Sequence, residues 1–78
     1  MTEVYVDLKN PAKVQSFVKT LTKLDGQFDL INGKHILDAR SLMGIFSMNL
    51  SRPILLKVYD NTQSTMNALA PFLAKEQS

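Results

Sequence analysis

The chain is 78 residues long, with 45% hydrophobic and 21% charged side chains, a length that holds one core rather than two and a composition that excludes disordered, collagen-like and low-complexity classes. Nine basic residues against seven acidic ones leave a net charge of +2, too weak and dispersed for the basic stripe of a nucleic-acid binder. Cysteine is absent, which removes disulfides, thiolate nucleophiles and cysteine zinc sites, and the one histidine, His35, lacks the partners to close a metal site.

Residues 2 to 8 alternate, with Val4, Val6 and Leu8 on one face and Glu3, Tyr5 and Asp7 on the other, which predicts a half-buried strand. Asn10-Pro11 then predicts a helix start. Asparagine accepts from free N–H groups, and proline at the first helical position loses a donor that has no partner anyway. Val14, Phe17, Val18, Leu21 and Leu24 form the apolar stripe of that helix, and Asp25-Gly26 is expected to end it. Residues 27 to 31 and 34 to 39 flank Asn32-Gly33, the pair that suits a type I′ hairpin turn because both central residues need positive φ.

Residues 41 to 48 are apolar but short and contain Gly44, so a short helix capped near Ser41 is predicted. After Pro53, Ile54, Leu56 and Val58 alternate with Leu55, Lys57 and Tyr59 as a fourth strand. The last helix is expected to start with a cap at Asn61 or Thr62 and to bury Met66, Leu69, Ala70 and Leu73, with a kink or break at Pro71. The order is strand, helix, strand, strand, helix, strand, helix, which makes an α+β layer pair with the helices on one face of the sheet. Tyr5, Tyr59 and Leu55 then fall on the uncovered face. Lys9, Lys13 and Arg52 are expected to gather near the start of the first helix.

The central stretch, Asn32-Gly33-Lys34 followed by Ala39-Arg40-Ser41-Leu42-Met43-Gly44-Ile45-Phe46-Ser47-Met48, resembles HPr, the phosphocarrier family of the phosphoenolpyruvate-dependent sugar phosphotransferase system. That resemblance implies a single HPr-like domain over residues 1–78: an open-faced β-sandwich with a four-stranded antiparallel sheet and three helices on one face, in the order βαββαβα. It also implies bacterial protein partners of sugar transport or catabolite regulation, and no cofactor. The segment between Asn32-Gly33-Lys34 and Ser41 is one residue longer than is usual in the family, which suggests a bulge in the third strand or a longer turn.

The family carries phosphate on a histidine at the start of the first long helix, beside an arginine. Helix N–H groups and the dipole favour the phosphoryl charge there. Matching Phe17-Val18 to the family's Phe-Val places Asn10 where the histidine stands and Ala12 where the arginine stands. Asparagine has no nucleophilic nitrogen comparable to imidazole and alanine no charge, so a histidine phosphocarrier is not expected. His35 lies past the hairpin turn and is expected to be a solvated or hydrogen-bonded side chain.

Ser41 matches the regulatory serine that a dedicated kinase modifies in part of the family, with Arg40 adjacent as a counter-charge. Serine is equally a good N-cap in its own right. Within the same stretch, Met43, Phe46, Met48 and Arg40 are the candidate partner-binding residues; Leu42 and Ile45 are expected to point inward, Met43 and Phe46 outward. The carboxylates are scattered singly, and no acid, base and nucleophile converge, so an enzyme is not expected. No basic-then-apolar leader and no run of roughly 18 apolar residues is present, so a cytoplasmic protein without membrane or nucleic-acid partners is expected.

Overall fold

The computed structural model describes residues 1–60 and 62–74. Its elements are β1 (Thr2–Val6), α1 (Pro11–Thr22), β2 (Phe28–Asn32), β3 (His35–Asp38), α2 (Leu42–Phe46), β4 (Ile54–Val58) and α3 (Gln63–Leu69), the last continued by a 3-10 turn over Ala70–Phe72. The strands form one sheet in the order β1-β4-β2-β3 with every neighbouring pair antiparallel. The period-two alternation of β4 is seen directly: Ile54, Leu56 and Val58 are buried, Leu55 and Lys57 half-buried. Val14, Phe17 and Leu21 of α1, Ile45 of α2, and Leu69 of α3 pack on that buried side with Val6, Phe28, Leu30 and Leu56. All three helices therefore share one face of the sheet, and the other face is left open.

Helix α1 begins as its residues dictate. The Asn10 side chain accepts from the Ala12 N–H at 2.8 Å and Pro11 takes the first helical position. Its end differs from expectation, because the helix stops at Thr22 rather than at Asp25-Gly26. The last turn finds other partners there, since the Arg40 guanidinium takes the carbonyls of Leu21 and Leu24 at 3.0 and 2.7 Å. Gly26 has φ +100, and a Cβ there would lie 2.9 Å from the Cβ of Asp60, so the loop needs glycine for conformation and for closeness.

β1 ends at Val6, two residues early. The Asp7 N–H leaves the ladder for the carbonyl of Phe72 at 2.8 Å, and the Asp7 carboxylate accepts from the Lys9 N–H, which turns the chain toward α1. Leu8 is fully buried all the same.

The hairpin is shifted by one residue from the expected Asn32-Gly33 turn. Asn32 pairs with His35 and stays in β2, which leaves Gly33-Lys34 as the connection. Gly33 has φ +61, and no non-glycine residue among those described has positive φ, so the turn meets the requirement of type II′, in which only the first central residue is left-handed. Pairing runs unbroken from Asp29 opposite Asp38 to Asn32 opposite His35, so β3 carries neither the bulge nor the longer turn that its spacing suggested.

α3 is capped by Thr62, whose hydroxyl accepts from the Thr65 N–H at 3.2 Å; the alternative cap, Asn61, lies outside the described residues. The break expected at Pro71 is present, and it changes which side chains face the core. The α-helix ends at Leu69, the 3-10 turn rephases the chain, Ala70 is exposed instead of buried, and Phe72 turns inward. Phe72 meets Phe17 edge to face, with centroids 5.4 Å apart. Beyond it, the Ala74 N–H donates to the Tyr5 carbonyl and Leu73 forms a bridge with Val6, so residues 73 and 74 line the edge of β1.

Candidate functional site

Two helix starts carry the residues singled out from the sequence. At the first, Asn10 is extended (φ −99) and its carbonyl takes the N–H groups of Lys13 and Val14 at 2.9 and 3.1 Å, while its amide oxygen takes that of Ala12. Asn10 and Ala12 are both exposed. Lys9 and Lys13 border a hollow next to this turn, with Asp7, Pro53, Pro71 and Leu73 on its other sides. Arg52 is not part of that group; it borders a different hollow with Tyr5, Ile31 and Leu55. Two cations and a helix N-terminus favour negative charge here, but the side chain at the cap is an amide, which accepts and donates hydrogen bonds and does not act as a nucleophile.

At the second start, Ser41 is exposed and caps α2, its hydroxyl accepting from the Gly44 N–H at 3.3 Å. Gly44 explains how the cap closes: a Cβ at that position would sit 2.9 Å from the Ser41 Oγ. Ile45 is fully buried and Leu42 half-buried against the core, while Met43 is 80% and Phe46 41% exposed, which is the predicted division of this helix. Met48, the third apolar candidate of this stretch, is half-buried and packs against the core. In so small a domain a methionine just past a five-residue helix fills the gap beneath it.

Arg40 has its guanidinium engaged within the chain. Its Nε donates to the Leu21 carbonyl, its Nη2 donates to the Leu24 carbonyl, and its Cζ lies 5.0 Å from the ring centroid of Phe28. A residue expected to face a partner or a phosphoserine thus closes the C-terminal end of α1, where the dipole is negative and the last carbonyls lack intrahelical partners. Nothing near Arg40 in the sequence signals this, since its acceptors lie 19 and 16 residues away. With α1 spanning 12 residues, about 18 Å, its guanidinium stands at the far end of the helix from Asn10.

His35 is exposed and opens β3. Val6, Ile54, Asn32 and His35 form one cross-strand row, so His35 stands three strand spacings, roughly 14 Å, from β1, the strand that leads into α1. Among the described residues no group of three or more histidine, aspartate or glutamate side chains is placed to hold a metal ion, and no helix is long and apolar enough to cross a membrane.

A solved structure shares this architecture. HPr-C-His from Thermoanaerobacter tengcongensis is similar to the chain, with a TM-score of 0.71 and 25% identity over 91% of this chain and 89% of that one. The fold is of the HPr type. No family model and no curated protein matches the chain. The likeness extends over nearly the whole domain.

One titratable group on the open side of the sheet is perturbed. The Tyr59 hydroxyl donates to the Asp29 carboxylate at 3.0 Å, and this bond, with partial desolvation and the negative charges of Asp29 and Glu3, raises Tyr59 above the ordinary tyrosine value of 10.0. The Gln27 side-chain amide donates to the same carboxylate at 3.2 Å.

Proposed function

We propose that this chain is an HPr-like protein-binding or regulatory module of the cytoplasm, related to the sugar phosphotransferase system, that does not carry phosphate on histidine. The observation that supports this reading is the cap of α1: at the position where the resemblance puts the phosphoryl-accepting imidazole, the Asn10 amide oxygen holds the Ala12 N–H at 2.8 Å. An amide has no lone pair comparable to that of imidazole for attack on phosphorus, and Ala12 offers no charge to balance a phosphoryl group. The exposed Met43 and Phe46 on α2 are the contact surface in this reading, their flexible and aromatic side chains suiting an adaptable protein partner of transport or catabolite regulation. No cofactor takes part.

The deciding experiment is intact-mass measurement after incubation with phosphoenolpyruvate and the first enzyme of the sugar system. No phosphate adduct is expected. An adduct that disappears in His35→Ala overturns the reading. The exposure of the Ser41 hydroxyl at the start of α2 favours a second reading, a signalling phosphoprotein modified there from ATP by a serine kinase and binding a repressor in that state. An ATP-dependent adduct abolished by Ser41→Ala supports it. With Arg40 bound to α1, a phosphate on Ser41 would draw on α2 N–H groups more than on that guanidinium.

A further inference from the structure

The two edges of the sheet are finished differently. β1 is covered by the segment after α3, through the Leu73 bridge to Val6 and the Ala74 N–H on the Tyr5 carbonyl. β3, at the other edge, has no strand on its outer side. One bond sets the phase of its backbone. Ala39 stands opposite Phe28 in continuation of the β2 to β3 register, and its N–H donates to the Phe28 carbonyl at 2.9 Å. In an antiparallel ladder the bonded pairs alternate, so Leu30 with Leu37 and Asn32 with His35 are bonded, while Asp29 with Asp38 and Ile31 with Ile36 are not. The main-chain groups of Ile36 and Asp38 therefore point away from the sheet. The Asp38 carbonyl shows this directly, because it takes the Ser41 N–H at 3.0 Å. The N–H and carbonyl of Ile36 meet no partner among the described residues, and the Ile36 side chain is 65% exposed. β3 is short, but it carries no proline and no bulge, and nothing among the described residues pairs with its outer edge.

Only residues whose main-chain groups point outward can make the bonded pairs of a further antiparallel strand. Two copies of β3 meeting there are related by a two-fold axis normal to the sheet, and the position of that axis fixes every pair. An axis at Asp38 sets carboxylate against carboxylate. An axis at Leu37 sets Ile36 against the Asp38 carboxylate, and one at His35 runs Leu37 and Asp38 past the end of the strand. An axis at Ile36 sets Ile36 on itself, His35 against Leu37, and Lys34 against Asp38 at both ends. The Asp38 Oδ1 accepts from the Arg40 N–H at 2.9 Å, which leaves Oδ2 to face the lysine. We propose that β3 pairs antiparallel with β3 of a second copy of this chain about an axis at Ile36, making one continuous eight-stranded sheet. The exposed Met43 and Phe46 of α2 take no part, so the proposal stands apart from the function proposed above. A pair of four-residue strands is a small contact, below roughly 1,200 Å² in total, so the dimer exchanges rapidly.

Sedimentation equilibrium at low ionic strength, from about 10 μM to about 1 mM chain, tests this. The average mass is expected to climb from 8.8 kDa toward twice that value, and amide exchange at Ile36 to slow as the concentration rises. Ile36→Pro removes an outward N–H and no bond to β2; it should weaken association about tenfold or more with an unaltered circular dichroism spectrum. Lys34→Glu and Asp38→Lys each set like charges together at both ends, so each alone should weaken association several-fold. An equimolar mixture of the two variants sets opposite charges together at both ends and should regain most of the loss. A chain that stays monomeric at about 1 mM overturns the proposal. So does a dimer in which Ile36 exchange does not change with concentration. A mixture no better associated than its components overturns the register on which the proposal rests.

Discussion

The guanidinium of Arg40 joins three elements through two carbonyls and one ring, and its planar fork is what lets it do so. Lysine has donors enough for the carbonyls but no planar group to lie flat over Phe28 while holding them. Hydrogen bonds from a charged donor contribute about 1.5 to 3 kcal/mol each where both partners are shielded, and this side chain is only half-buried. Arg40→Ala is accordingly expected to lower stability by about 2 kcal/mol in urea denaturation, and Arg40→Lys by somewhat more than half of that. A loss below about 0.5 kcal/mol would mean that solvent replaces both bonds. Tyr59 gives a prediction in pH. Its folded value is raised, so the stability it contributes through Asp29 is fully present below the ordinary tyrosine value of 10.0 and is lost as pH rises through the higher folded one. Absorbance titration of the phenolate should show Tyr59 ionising later than an ordinary tyrosine, and Asp29→Asn should bring it back down. Tyr59→Phe should flatten the alkaline fall in denaturation midpoint.

Among the elements, α2 shows how one position can serve two opposed demands. Alanine in place of a helical glycine commonly adds about 1 kcal/mol of stability, while loss of a serine N-cap costs about the same. At Gly44 the two effects are joined, because the new Cβ would meet the Ser41 Oγ at 2.9 Å and displace the cap. Gly44→Ala should therefore be close to neutral in the wild-type chain, and stabilising by about 1 kcal/mol once Ser41→Ala has already removed the cap. Equal effects in both backgrounds would separate Gly44 from the cap. The strands and helices themselves were legible from period and capping residues, as β4 and the Asn10-Pro11 start of α1 illustrate. Their ends were less so. β1 stops where Asp7 turns to Phe72, α1 stops where Arg40 takes its carbonyls, and both partners are distant in the chain. The hairpin slipped by one residue because Asn-Gly admits two neighbouring turn registers, and the pairing of Asn32 with His35 selects the one that needs a single left-handed residue.

For the molecule as a whole, the 3-10 turn after α3 closes the core. Phe72 packs on Phe17 and its carbonyl ties down Asp7, so one residue links the turn after α3 both to α1 and to the β1 to α1 connection. A Phe72→Ala change should cost about 3 kcal/mol or more, a large share of the total in a domain of this size, and should expose the amide of Asp7 to hydrogen exchange. Slow exchange at Asp7 in that variant would show that residues 73 and 74 hold the edge of β1 without the aromatic contact. The open face of the sheet belongs to the same scale. Ile31 and Ile36 were not singled out from the sequence, although their alternation with Leu30 and Leu37 carries the signal. They become a surface only when β4 is inserted between β1 and β2, because that insertion aligns four separate strands into one row.

What the sequence by itself determined is what local physics governs: the strand and helix periods, the caps at Asn10 and Ser41, a cap at Asn61 or Thr62, the break at Pro71, and the α+β order with its helices on one face of the sheet. These depend on neighbours within a few residues, where steric and hydrogen-bonding rules act directly. The tertiary structure alone decided the rest: that Arg40 is a clasp on α1, that Met48 and Phe72 fill the core, that Arg52 parts company with Lys9 and Lys13, and that Tyr5, Leu55, Ile31 and Ile36 share one row of the open face. Each of these joins residues far apart in the chain, and only the packing of the helices on the sheet brings them within reach.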